Sequence, residues 1–217
     1  MNHSLFVPQR PKPEMRERLI AAAQAELATH GYAGMRLGVV AERAGSSVGN
    51  LYKYFPGKAE LFAAAIPEAV VEELRALLEA RVRALGTERD AYALPPEHPY
   101  LGAAAALHAF TLRHRDALRF LLIRAEGSPY AEFVTRLSED LGKWAVEYAR
   151  EAYPAYVHSA LRQRALVRIY RHYLWALGEI LETEPSARRL RDAVALQARY
   201  HLSGLTGFFT TPTGRDP

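Results

Sequence analysis

Apolar residues recur along this 217-residue chain at three- and four-residue intervals, and alternating stretches bounded by hairpin turns are absent. That spacing places an apolar stripe on each of a series of helices and predicts an all-α fold. The first helix is expected from about Glu14 to His30, ending at Gly31, with Ile20, Ala23, Leu27 and Ala28 on its inner face. Two short helices follow within residues 37–55. A long one should begin near Lys58 and continue to about Leu85, with Pro67 bending or breaking it, because proline lacks an N–H and crowds the preceding turn. Residues 86–99, rich in charge and proline, form the longest loop. Further helices are expected over 100–113, over 116–125, from Gly127-Ser128-Pro129 to about Ala152, over 161–182 and over 185–209, about nine in all. The chain is thereby divided into a flexible N-terminal arm (1–13), a three-helix head (14–60), a helical body (61–210) and a flexible tail (211–217).

Composition narrows the chemistry. A chain of this length can bury a sizeable core. It has no cysteine, which excludes disulfides, thiol redox sensing, cysteine nucleophiles and Cys-type zinc sites, and suits a reducing cytoplasm. Residues 1–13 are polar and Pro-rich, unlike a signal peptide. No segment reaches the roughly 18 apolar residues needed to span a bilayer, so a cytoplasmic protein without a membrane partner is expected. The eight histidines form no His-Glu-x-x-His pattern or close His/Asp cluster, and serine-hydrolase, P-loop and dinucleotide motifs are absent. No metal, no cofactor and no catalytic residues are expected. Net charge is +4 with a pI near 9.4. Residues 1–60 carry eight Lys or Arg against five Asp or Glu, and the rest carry 20 against 19, so the surplus lies mostly in the head. A phosphate-facing surface would concentrate charge there.

The head contains the most informative stretch, Leu37 to Lys58. Leu37, Val40, Ala41 and Ala44 give its first helix one apolar face. Gly45 stands where a helix end favours positive φ. Ser46 and Ser47 can cap the next helix. There Leu51 and Phe55 face inward together, leaving Asn50, Tyr52, Lys53 and Tyr54 on or near the other faces, and Pro56-Gly57 ends it. This is the layout of a helix-turn-helix, whose second helix enters the DNA major groove.

Arg18 to Tyr32, Ala41-Glu-Arg-Ala-Gly45, Gly49-Asn-Leu-Tyr-Lys-Tyr-Phe55 and Lys58-Ala-Glu-Leu-Phe62 together resemble the DNA-binding domain of the TetR transcriptional regulators over roughly residues 15 to 65. The remainder resembles that family only in length and helical character. Met35-Arg36 stands where the family usually has Thr or Ser entering the second helix, and Ser46 where it prefers an apolar residue. With Gly38, which costs about 1 kcal/mol relative to alanine in a helix, these departures predict a soft head. The resemblance implies a ligand-released repressor that dimerises through its last two helices on a near-palindromic double-stranded operator, and the aromatic density of the body predicts a small apolar or aromatic ligand with His or Arg at its polar end.

Arg36, Ser46, Ser47, Val48, Gly49, Asn50, Tyr52, Lys53, Tyr54 and Lys58 are the candidate DNA-binding residues. Asn50 has the chemistry to read adenine N6 and N7, or to contact phosphate. Tyr52, Lys53, Tyr54 and Lys58 match the family's backbone-contacting set, with one of the two tyrosines open to a core role. In the body, Leu107, Phe110, His114, Phe120, Trp144, Tyr148, His172 and Trp175 are candidate ligand-binding residues, because a pocket needs large rings and a few polar tips. His108 and Arg124 are further candidate tips. The same rings serve equally well as core. Leu174, Leu177, Leu181, Leu196, Leu202 and Leu205, with Gly178, Ser203, Gly204 and Gly207, are the candidate dimer contacts on the last two helices. A constitutive DNA-binding protein of the same fold, a helical enzyme and an interaction bundle are the other readings.

Overall fold

The computed structural model describes residues 12–211. The expected arm (1–13) and tail (211–217) lie, apart from residues 12, 13 and 211, outside the described residues. Those residues form ten helices and no strand: α1 (Pro13–Gly34), α2 (Leu37–Arg43), α3 (Val48–Tyr54), α4 (Lys58–Ala65), α5 (Glu68–Arg83), α6 (Pro99–Arg113), α7 (Arg115–Ile123), α8 (Phe133–Ala152), α9 (Ala160–Thr183) and α10 (Ala187–Thr210).

The expected long helix from Lys58 to Leu85 is two helices. Pro67 takes φ −66°, ψ 143° as the N-cap of α5. Ile66 before it leaves the helical region at φ −124°, ψ 74°, as steric conflict with a following proline ring requires. The helix expected from Gly127 begins only at Phe133. Gly127 sits at φ 70°, and successive turns, with Ser128 N donating to Ala125 O (3.1 Å) and Ala131 N to Ser128 O (3.1 Å), occupy the intervening residues. The first helix ends in its regular form near His30, as the glycine suggested. Gly31 breaks it at φ 68° and ψ −178° before a last turn to Gly34. A Cβ there would also meet the Arg124 carbonyl oxygen at 3.2 Å.

Head and body share one apolar core. α7 is the hinge-pin of the packing, lying against α1 on one side and α9 on the other. Phe62 of α4 stacks edge-on against Phe120 of α7 (5.6 Å between ring centres) and Tyr32 (4.8 Å). Polar ties reinforce this joint. Gln24 Nε2 donates to Ala65 O (2.8 Å), Tyr130 OH donates to Ile66 O (3.4 Å), and Arg124 Nε donates to Thr29 O (3.0 Å). Arg124 also pairs with Glu182 of α9, so it stitches three helices rather than tipping a pocket.

α9 packs on α7 and α8, and α10 packs on α9. Leu174, Leu181 and Leu205 are therefore buried in the core of the single chain, with Leu177 and Leu202 half-buried beside them. Gly178 permits close approach within the chain, because a Cβ there would meet Ile123 Cγ2 at 2.6 Å and Leu122 Cβ at 3.1 Å. Of the candidate dimer contacts, Leu196, Ser203, Gly204 and Gly207 remain exposed.

Candidate nucleic-acid interface and body cavity

α2 ends at Arg43 with Ala44 as its C-cap, and Gly45 follows at φ 66°. Its N–H donates to Glu42 O (2.9 Å) and the Ser46 N–H donates to Ala41 O (2.8 Å), closing the turn. Ser47 is the N-cap of α3, its hydroxyl accepting from Asn50 N at 3.2 Å. Ser46 has a second role: its hydroxyl accepts from Asn50 Nδ2 at 2.9 Å. One amide proton of Asn50 is thus held while the carbonyl oxygen and the other proton remain for an outside partner. α2 itself lacks a side-chain cap, since Arg36 is its N-cap residue, in keeping with the departure read from the sequence.

Leu51 and Phe55 are buried, so the opposite side of α3 faces solvent with Val48, Gly49, Tyr52 and Lys53. A Cβ built on Gly49 would find open space, which leaves the backbone accessible to a phosphate or base. Of the two tyrosines, Tyr54 is the one tied inward. It packs on the core, and its hydroxyl accepts from Lys12 N at 2.9 Å. Lys58 is also occupied, with Nζ over the Tyr32 ring (5.0 Å) and donating to Ala33 O (3.2 Å).

The head buries one group that the periodicity did not single out. Glu26 is 1% exposed, and neither carboxylate oxygen has a hydrogen-bond partner. Arg36 Nε lies 3.8 Å away and His30 Nε2 3.9 Å away. Arg36 therefore reaches from a buried carboxylate to the surface.

The body holds two adjoining, partly open chambers of about 420 and 360 Å³. Leu78 and Arg81 of α5, Tyr92 of the loop, Tyr100 of α6, and Tyr173 and Leu174 of α9 border both. The first chamber continues to Tyr148, Tyr153, Tyr170, His201 and Phe209, and the second to Leu107, His108, Thr111, Leu177 and Arg191. Of the eight candidate ligand residues, Tyr148 borders the first and Leu107 the second. The other six lie elsewhere. Phe110, Phe120 and Trp144 are buried in the core, with the Arg75 guanidinium over the Trp144 ring (5.5 Å). His114 joins α6 to α7 and packs its ring against Phe110 at 4.5 Å. His172 and Trp175 lie on the outer face of α9.

Besides Tyr148 and His108, the polar atoms of the cavity come from residues not singled out for a ligand by the sequence. Arg81 Nη2 donates to Tyr100 OH at 2.6 Å, while its Nε is buried without a partner. Burial opposes the guanidinium charge, but the Tyr173 and Tyr100 hydroxyls outweigh it and the net displacement of its pKa is upward. His201 stacks on Tyr173 (4.0 Å, 17°), and its Nε2 has no partner. Burial first, and Arg81 second, push its pKa down to about 4, so the ring is neutral at physiological pH. These residues lie at helical spacing like any core residue, and only assembly of α5, α6, α9 and α10 brings them together.

Residues 19–65 match the model of the bacterial regulatory proteins of the TetR family. The head carries the sequence of a TetR-family regulator over those residues. No curated protein matches the chain. Among solved structures, the chain is similar to a TetR-family transcriptional regulator from Pectobacterium atrosepticum, at 23% identity over 94% of this chain and 100% of that one (TM-score 0.43). It is also similar to SmeT, the repressor of the Stenotrophomonas maltophilia multidrug efflux pump SmeDEF, at 19% identity over 93% and 100% of the two chains (TM-score 0.47). A SmeT–triclosan complex matches at 19% identity over 94% and 98% (TM-score 0.48). The matched residues run from within α1 to the end of α4, past the head boundary at residue 60 expected from the sequence. Among the described residues no helix is long and apolar enough to cross a membrane, and no three His, Asp or Glu side chains cluster as a metal site would require.

Proposed function

We propose that this TetR-family DNA-binding protein is a transcriptional repressor that binds a near-palindromic operator as a homodimer and leaves it when a small ligand enters the body. The observation that carries the reading is the direct continuity between its two halves. α4 belongs to the head, and after the single break at Ile66-Pro67 the chain enters α5, which supplies Leu78 and Arg81 to the cavity wall. A ligand regulates only by favouring the DNA-released arrangement over the bound one. A tenfold loss of operator affinity needs about 1.4 kcal/mol of that difference. The cavity favours this reading over a constitutive DNA-binding protein, which needs none.

In this reading α3 enters the major groove. Asn50 reads a base edge, Ser46 holds its amide in register, and Tyr52 and Lys53 contact phosphate together with Arg36 and the α3 N-terminus at Ser47, Val48 and Gly49. Tyr54 and Lys58 support the helix from within the head. The second copy covers the outer faces of α9 and α10, where Trp175, Leu196 and Tyr200 are 53%, 72% and 79% exposed and a Cβ on Gly204 or Gly207 would meet nothing. Two-fold symmetry then sets two α3 helices to half-sites about 34–36 Å apart.

Fluorescence anisotropy with duplexes from the region upstream of the gene tests this directly. Asn50→Ala should lose roughly 1–3 kcal/mol of discrimination at one base position. Equal losses on operator and random DNA would remove Asn50 from base reading, and sedimentation showing only monomer at micromolar concentration would remove the dimer.

A further inference from the structure

We infer that the body cavity is built for an organic acid, with the carboxylate held by Arg81 and the apolar part lying in one of the two chambers. The inference rests on the ligand-responsive reading above and names the chemistry of that ligand.

Arg81 stands at the junction of the chambers, and among the described residues it forms no ion pair. Its side-chain contacts are the hydroxyls of Tyr100 and Tyr173 rather than a carboxylate, and its Nε has no acceptor. Folded proteins pair such charges, because removing a guanidinium from water without a counter-charge is costly. Three arginines, Arg81, Arg89 and Arg191, border the chambers against a single carboxylate, Asp90. Asp90 is exposed and already accepts from Tyr92 N at 2.8 Å. The walls thus carry an excess of positive charge around an otherwise aromatic and aliphatic space.

The donor geometry suits a carboxylate. A guanidinium presents parallel N–H groups that match the two oxygens. Tyr100, while accepting from Arg81, keeps its own O–H proton to give. His201 is 9% exposed, borders the first chamber and has an unpartnered Nε2 that can take part in the same network. Volumes of about 420 and 360 Å³ admit an acyl chain or a small ring system beyond the carboxylate.

The test uses the full-length protein and the neutral dye N-phenyl-1-naphthylamine, which fluoresces in apolar sites. Decanoate and methyl decanoate, which differ in charge but little in apolar surface, compete for the site. The wild type should release the dye at a decanoate concentration at least tenfold below that of the ester. Arg81→Met should weaken decanoate at least tenfold and change the ester less than threefold. Decanoate should raise the melting temperature of the wild type and leave that of the variant unmoved. Arg81→Lys, which keeps a charge without the fork, should retain part of the preference. If Arg81→Met fails to fold, Arg81→Lys and the acid–ester comparison on the wild type decide the matter. Equal affinity of the wild type for acid and ester, with the dye bound, overturns the anion site and leaves the cavity reading standing. A wild type that takes up neither dye nor acid overturns both.

Discussion

Replacing His201 by phenylalanine should flatten the acid limb of the stability profile. The imidazole lies on Tyr173, edge-on to Tyr170 at 5.0 Å, and is closed off from water except for a small margin. Its pKa falls from 6.5 to about 4, through burial first and the Arg81 charge second. Between those values the unfolded chain binds a proton that the folded chain does not, so stability falls as pH drops through the window. Above pH 6.5 the ring is neutral in both states, and below pH 4 it is charged in both, so its contribution is constant outside. A displacement of about 2.5 pH units at roughly 1.36 kcal/mol each amounts to about 3 kcal/mol. His201→Phe keeps a ring on Tyr173 and deletes the titrating nitrogens. Urea unfolding at pH 7.5, 6.5, 5.5 and 4.5, at one protein concentration, gives the free energies. Carboxylates common to both proteins cancel in the difference. That difference should move in favour of the variant by about 2.5 kcal/mol between pH 7.5 and 4.5. Parallel profiles with a constant offset would refute the assignment of a buried neutral imidazole.

Three further outcomes follow from local geometry. Gly178→Ala should destabilise by about 1–3 kcal/mol in chemical denaturation, because its Cβ would press Ile123 and Leu122 of α7; an unchanged midpoint would mean that α7 and α9 are not in close contact. Glu26→Met removes a buried carboxylate that has no hydrogen-bond partner and only long ion-pair contacts to Arg36 (3.8 Å) and His30 (3.9 Å), so its melting temperature should equal or exceed that of the wild type; a fall of several degrees would mean that those ion pairs outweigh the cost of burying the charge. Lys53 is exposed on α3 and unoccupied by the hydrogen bond that holds Lys58, so Lys53→Ala should lower the slope of log K against log salt by about 0.9. An unaltered slope would place Lys53 off the phosphate backbone.

Much of the head was legible along the chain because its signals are local. Gly45, Ser46 and Ser47 encode a turn and a cap within three consecutive residues, and Leu51 and Phe55 place their helix by spacing alone. The structure puts each of these where the spacing indicated. The proline at position 67 also acts locally, although whether it bends or divides a helix depends on the carbonyls of Ala65 and Ile66 finding partners in Gln24 and Tyr130.

The body is different, because there the decisive fact is which face of each helix meets which neighbour. Phe110, Phe120 and Trp144 have the same chemistry as pocket residues, yet packing against α4, α5 and α7 makes them core. Trp175 lies two residues beyond Tyr173, and that step of about 200° around the helix places one ring outside and the other against His201. Arg81 reads as an ordinary surface charge until α6 and α9 close over it. Local periodicity thus determined most of the helices, the turn and the open face of α3. Only the long-range assembly of α5, α6, α9 and α10 decided where space remained inside and which charge was left there without a partner, because burial is a property of the neighbours a residue acquires on folding.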